Sequence, residues 1–155
     1  MVVVCTTRLN SETYPRWRAH RHHYYSPTEI VSWVKMYETV VVVEMHNDAN
    51  EITGIGLVRN VPQQNTVKVF RRAYYNRFRF KIIGRVRRKW LKDTRLRLTS
   101  GEEVDLLAYL ESRCFEGKTH SKRNGGITIL PERYLINPMT LFDLVVALLK
   151  KIHGL

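Results

Sequence analysis

Hydrophobic positions fall into short runs and two-residue alternations through most of the chain, and into helical spacing at its end. Val2 to Thr7 is short and β-branched and predicts a strand. Val40 to His46 predicts a buried strand and Ile52 to Val58 its partner, joined across the polar turn Asn47-Asp48-Ala49-Asn50 as a hairpin. Gly54 and Gly56 share one face of that second strand and predict a close crossing over it. Val67 to Arg72 and Phe78 to Val86 predict further strands, and Ile127 to Leu130 a short one stopped by Pro131.

Helical spacing appears three times. Ser26-Pro27-Thr28-Glu29 has the form of a helix start, followed by Ile30, Trp33, Val34 and Tyr37 at i, i+3, i+4, i+7. Thr99 to Glu102 predicts the opening of a helix reaching about Cys114. Asn137-Pro138 starts the last, with Leu141, Leu144, Val145, Leu148 and Leu149 as its apolar stripe. Leu9 to Tyr25, rich in histidine, arginine and aromatics, predicts an ordered loop, and residues 116–126 a polar one. The pattern predicts a single α+β domain over residues 1–155, with a small, mostly antiparallel and barrel-like sheet and two to three flanking helices.

Length and composition fit one globular domain of 155 residues, with 44% hydrophobic and 26% charged positions. Cys5 and Cys114 are the only cysteines, a count that fits a reducing compartment and two small buried apolar residues. The first residues are too few for a signal-peptide core, and no apolar run has the length of a membrane span, so the chain is expected to be soluble.

Charge changes the picture more. The formal net charge is +12, and it is not spread evenly. Residues 71–97 hold twelve Lys or Arg against one acid, Asp93, while the rest of the chain has fourteen basic and thirteen acidic residues. From Arg77 the alternate positions read Arg77, Arg79, Lys81, Ile83, Arg85, Arg87, Lys89; the intervening ones read Phe78, Phe80, Ile82, Gly84, Val86, Arg88, Trp90. Side chains on a strand alternate between faces, so this predicts a ladder of cations on one side and core residues on the other, with a bend at Gly84. Same-face neighbours would lie about 6.5–7 Å apart, close to the phosphate repeat of an extended nucleic-acid strand. A solvated edge strand or an acidic protein partner would use the same pattern.

Two other segments are candidates to join this surface. Residues 14–25, including Trp17 and Arg18, mix cations with aromatics, which suits either base stacking on single strands or a loop pinned to the core. Residues 117–126 carry Lys118, Lys122 and Arg123 among glycines and hydroxyls, which suits an anion cradle or an exposed loop. Catalytic and metal readings fail on spacing. Gly117-Lys118-Thr119 lacks the upstream glycine of a nucleotide-binding loop, where this chain has Ser112. His20, His22 and His23 lack paired zinc-ligand spacing. Glu44, His46 and Asp48 lack the second carboxylate pair and lysine of a metal nuclease. The sequence points to no enzyme, no cofactor and no metal.

Residues 40–60 (VVVVEMHNDANEITGIGLVRN), 75–84 (YNRFRFKIIG) and 114–128 (CFEGKTHSKRNGGIT) together resemble a family of uncharacterised proteins of large DNA viruses of protists, the nucleocytoplasmic large DNA viruses. The resemblance spans roughly residues 38–134. It implies a viral origin and supplies no catalytic residues. A weaker likeness, at Gly54 to Val58, is to PUA-like barrels of the EVE and ASCH type, which are similar to readers of RNA or modified bases. The expectation is a basic viral domain binding nucleic acid through Arg77, Arg79, Lys81, Arg85, Arg87 and Lys89, with Lys118, Lys122, Arg123, Trp17 and Arg18 contributing. It would act inside the infected host cell or within the virion and would not be secreted. The alternatives are a minor capsid-type virion protein that meets acidic capsid proteins or a membrane surface, and a nucleic-acid-processing enzyme.

Overall fold

Two valine-rich segments form the centre of the sheet. β1 (Val2–Leu9) and β3 (Thr39–His46) pair in parallel over their full length, Val2 opposite Thr39 through Leu9 opposite His46. Both faces of this pair are covered, which is why Val40 to Val43 reads as an unbroken apolar run rather than an alternation. The computed structural model describes residues 2–30, 34–116, 126–130 and 136–154.

β4 (Glu51–Arg59) returns antiparallel to β3 through the turn at residues 47–50, as the hairpin pattern predicts. β6 (Phe78–Arg87) follows on its far side, and β2 (His23–Ser26) and β9 (Thr128–Ile129) close the two edges. The order is β2-β6-β4-β3-β1-β9, with β5 (Gln63–Gln64) paired to the first half of β6. The sheet curls into a half-barrel with flanking helices, the α+β architecture expected from the sequence. β7 (Arg95–Arg97) and β8 (Glu103–Asp105) make a separate small ribbon.

Each face of the sheet has its own core. On one, α3 (Leu106–Phe115) and α4 (Pro138–Ile152) cover Val41, Val43, Ile55, Leu57 and Val86. Asn137 caps α4 by accepting from the backbone N–H groups of Met139 (2.9 Å) and Thr140 (3.4 Å), and Leu141 and Val145 are fully buried, as the stripe predicts. Leu149 lies directly over Gly84, where a Cβ would come within 2.8 Å of its Cδ1. On the other face α1 (Thr13–Arg18), β2 and the segment 65–76 cover Val3, Cys5, Val40, Val42, Val58 and Phe80.

Four local expectations are corrected. Leu9 to Tyr25 holds α1 and β2 rather than a loop. Ser26 ends β2 instead of capping a helix. Its buried hydroxyl accepts the N–H of Ile127 (3.2 Å), a partner 101 positions away that outcompetes the local helix start. Residues 27–30 and 34–37 are bends and turns, and Trp33 lies outside the described residues. Val67 to Arg72 is irregular and leads into a 3-10 turn, Ala73–Asn76. The helix expected from Thr99 starts at Leu106, because the turn at Gly101 (φ +89°) pairs β7 with β8 and Asp105 supplies the cap to Ala108.

Candidate polyanion-binding surface

The basic segment begins just before the 3-10 turn, runs the length of β6 and ends in β7. In its first half, β6 pairs with β2, placing Phe80 opposite Tyr24, Arg79 opposite Tyr25 and Lys81 opposite His23. Phe78, Phe80 and Ile82 belong to the Trp17–Tyr24 core, so Arg79 and Lys81 take the opposite face. Arg77 precedes the strand with helical backbone (φ −66°, ψ −45°), its guanidinium 5.5 Å from the Phe78 ring centroid. In its second half β6 pairs with β4, and the register slips. Leu57 faces Gly84 while the next residue, Val58, faces Ile82. Ile83 is the extra residue of a β-bulge and is 56% exposed.

One extra residue inverts the parity of everything after it. Gly84 and Val86 therefore turn to the helix-covered face, and Arg85 and Arg87 turn to the face of Phe80. The single ladder expected from the alternation is thus two clusters on opposite faces. Lys89 leaves the strand altogether, on the short helix α2 (Arg88–Leu91), with its ammonium 5.3 Å from the Trp90 ring centroid.

Arg85 is not a surface cation. It points into the curl of the sheet and meets Glu44, which is fully buried, through two hydrogen bonds, Nε to Oε2 at 2.6 Å and Nη2 to Oε1 at 2.7 Å. The Tyr24 hydroxyl donates to the same carboxylate, as does Thr53 at 3.0 Å. Trp17 closes the cluster, stacked on Tyr24 at 5.7 Å, with the guanidinium 5.1 Å from its ring centroid. Burial alone would lower the guanidinium's pKa; the hydrogen bonds and charge of Glu44 outweigh it and hold it above its ordinary value. Burial first, then the Glu44 carboxylate, push the Tyr24 hydroxyl well up.

This cluster explains the paired glycines of β4. A Cβ at Gly56 would collide with the Tyr24 hydroxyl, and one at Gly54 would lie 2.8 Å from Glu44 Oε1. It also corrects two expected site residues. Trp17 is 2% exposed, its indole N–H donating to the His23 carbonyl at 2.8 Å, so it has no face free for a base. Arg85 has its fork filled by Glu44. Arg18 is exposed at the end of α1, 5.9 Å from the Tyr14 ring centroid. Lys118, Lys122 and Arg123 lie outside the described residues.

Four of the twelve cations in residues 71–97 lie within 4.0 Å of a carboxylate: Arg71 with Glu12, Arg85 with Glu44, Arg88 with Glu111 and Arg97 with Glu103. The other eight have no carboxylate partner among the described residues: Arg72, Arg77, Arg79, Lys81, Arg87, Lys89, Lys92 and Arg95. Arg77, Lys81, Arg87, Lys89 and Lys92 are exposed. Arg79 is half-buried, and its Nε has no hydrogen-bond partner among the described residues. The field around it is felt by its neighbour: burial first, then Arg79, His22 and Lys81 lower the pKa of His23.

The charge count over residues 71–97 includes Arg71 and Arg72 but gives no sign that aromatic residues beside this row gather around them. Phe70, Arg71, Arg72 and Tyr75 meet Tyr25 around a cavity of about 540 Å³. The visible signal was composition, since residues 70–75 repeat the mixture of rings and cations found in residues 14–25.

No protein-family profile matches the chain, and a search of curated proteins finds no match. Fold and surface together define a small α+β protein with a curled sheet and an exposed basic strand. No helix among the described residues is long and apolar enough to cross a membrane.

Proposed function

We propose that this protein binds nucleic acid through the cations of residues 71–97 that carry no carboxylate partner. The observation that supports this is the eight side chains there with no such partner among the described residues. A solvated face is normally interspersed with acids, and this segment holds only Asp93. Arg79 and Lys81 share one face at a step of about 6.5–7 Å, with Arg77 exposed just before the strand, so successive phosphates of an extended strand can each meet one cation. Arg87, Lys89 and Lys92 form a second group beyond the bulge. Arg85 contributes to the fold rather than to this surface.

The test is binding of a fluorescent oligonucleotide to the full chain across a salt series. Each phosphate neutralised on a single strand contributes about −0.7 to the slope of log K against log salt. Three to six contacts therefore give a slope of about −2 to −4. Replacing Arg77 and Lys81 together by alanine should flatten it by about 1.4. Absence of binding at low salt, or a slope near zero, would overturn the proposal.

A further inference from the structure

The cavity beside the cation row opens between the end of β1, the start of α1, the end of β2 and the segment 65–76. At about 540 Å³ it has the size of an ordinary small-ligand site. Its aromatic wall is Tyr25, Phe70 and Tyr75, with the first two rings edge to face at 6.1 Å and 90°. Arg71 and Arg72 are exposed at its rim. The carboxylate that lines it, Glu12, already bonds Arg16 at 2.8 Å and lies 3.5 Å from Arg71.

This wall is held in place before any ligand arrives. The buried Asn76 side chain accepts from the N–H groups of Val69 (3.0 Å) and Phe70 (2.8 Å) and donates to the carbonyls of Phe70 (2.8 Å) and Arg72 (3.3 Å). Asn65 in turn donates to the carbonyl of Asn76 at 2.8 Å. The cavity is also continuous with the cation row, because Tyr25 is the cross-strand partner of Arg79. Burial raises the pKa of the Tyr25 hydroxyl and the Arg79 charge pulls against it.

We infer that this cavity takes one unstacked base of a single-stranded nucleic acid, with the neighbouring phosphates held by Arg71 and Arg72 at the rim and by Arg79. A base is flat and apolar on its faces, polar at its edges, and carries phosphates on either side. An aromatic wall with Arg71 and Arg72 at the rim, Arg79 on the adjoining strand, and Arg8 in the lining, bonded to the Gly126 carbonyl (3.2 Å) and the Thr6 hydroxyl (2.9 Å), matches that distribution. A duplex keeps its bases stacked and can offer only phosphates. The inference rests on the nucleic-acid reading above and narrows it to single strands.

The test compares three probes of equal phosphate count on the full chain: a single strand of thymidines, a duplex, and a strand of the same length without bases. The single strand should bind about tenfold more tightly than the base-free strand. Tyr75→Ala should erase that difference while leaving the salt slope unchanged. On the unaltered protein, a strand carrying 5-iodouracil should crosslink under ultraviolet light to peptides containing Tyr25, Phe70 or Tyr75. Equal binding of all three probes, or crosslinks only elsewhere, would overturn the base site and leave the phosphate reading standing. No binding of any probe would overturn both.

Discussion

Glu44 and Arg85 show how much one residue's surroundings decide its role. The sequence presents Arg85 as one cation among many, yet its carboxylate partner is fully buried and its own side chain is 17% exposed. A buried pair stripped of one member leaves an uncompensated charge, which costs about 3–5 kcal/mol. Arg85→Ala should therefore lower the unfolding free energy by that amount, read as a lower urea midpoint at unchanged m, while leaving the salt slope of oligonucleotide binding unchanged. The comparison is Arg97 with Glu103, whose side chains are 67% and 53% exposed. Solvent screens that pair, and Arg97→Ala should cost less than about 1 kcal/mol. A flattened salt slope in Arg85→Ala would return this residue to the binding surface.

Among the elements, β6 and the segment before it carry the most consequence. The strand itself was legible, since Phe78, Phe80, Ile82 and Val86 are apolar at alternate positions. The bulge was not. A one-residue slip at Ile83 depends on how β6 meets Leu57 and Val58, and nothing in residues 78–87 states that register. The segment 65–76 was read as a strand at Val67 to Arg72 because its composition suits one. Asn65 and Asn76 hold it irregular instead, by taking up backbone groups that a ladder would have used. Asn76→Ala leaves buried donors and acceptors without partners and should destabilise the protein by about 2–3 kcal/mol. It should also speed proteolytic cleavage within residues 65–76. An unchanged urea midpoint would show that those bonds contribute nothing net.

At the scale of the whole molecule, two cores share one sheet and a buried thiol lies in each, Cys5 in one and Cys114 in the other. Burial pushes both thiols up from an ordinary 9.0 to about 12. Above pH 9 the unfolded chain loses these protons while the folded chain keeps them. Stability is therefore fully present below pH 9 and falls as pH rises from 9 towards 12, the opposite of a carboxylate's acid dependence. Urea unfolding from pH 8 to 11 should show that decline, and replacing both cysteines by alanine should remove the thiols' share of it. A decline unchanged by the replacement would assign it to other groups.

By itself the sequence determined what depends on neighbours along the chain. The valine runs specified the central strands, Asn137-Pro138 and the leucine stripe specified α4, and the count of charges placed the basic surface in residues 71–97. Gly54 and Gly56 announced a close crossing over β4 without saying what crosses. Only the tertiary structure decided what depends on distant partners. Tyr24 and the Glu44–Arg85 pair fill the space those glycines leave, and the pair joins residues 41 positions apart. The cavity draws its walls from β1, α1, β2 and the segment before β6. The physical reason is that strand alternation is a local property, while the face a side chain finally occupies is set by register against another strand. Ile83 resets that register, and with it the division of the arginines between the core and the surface.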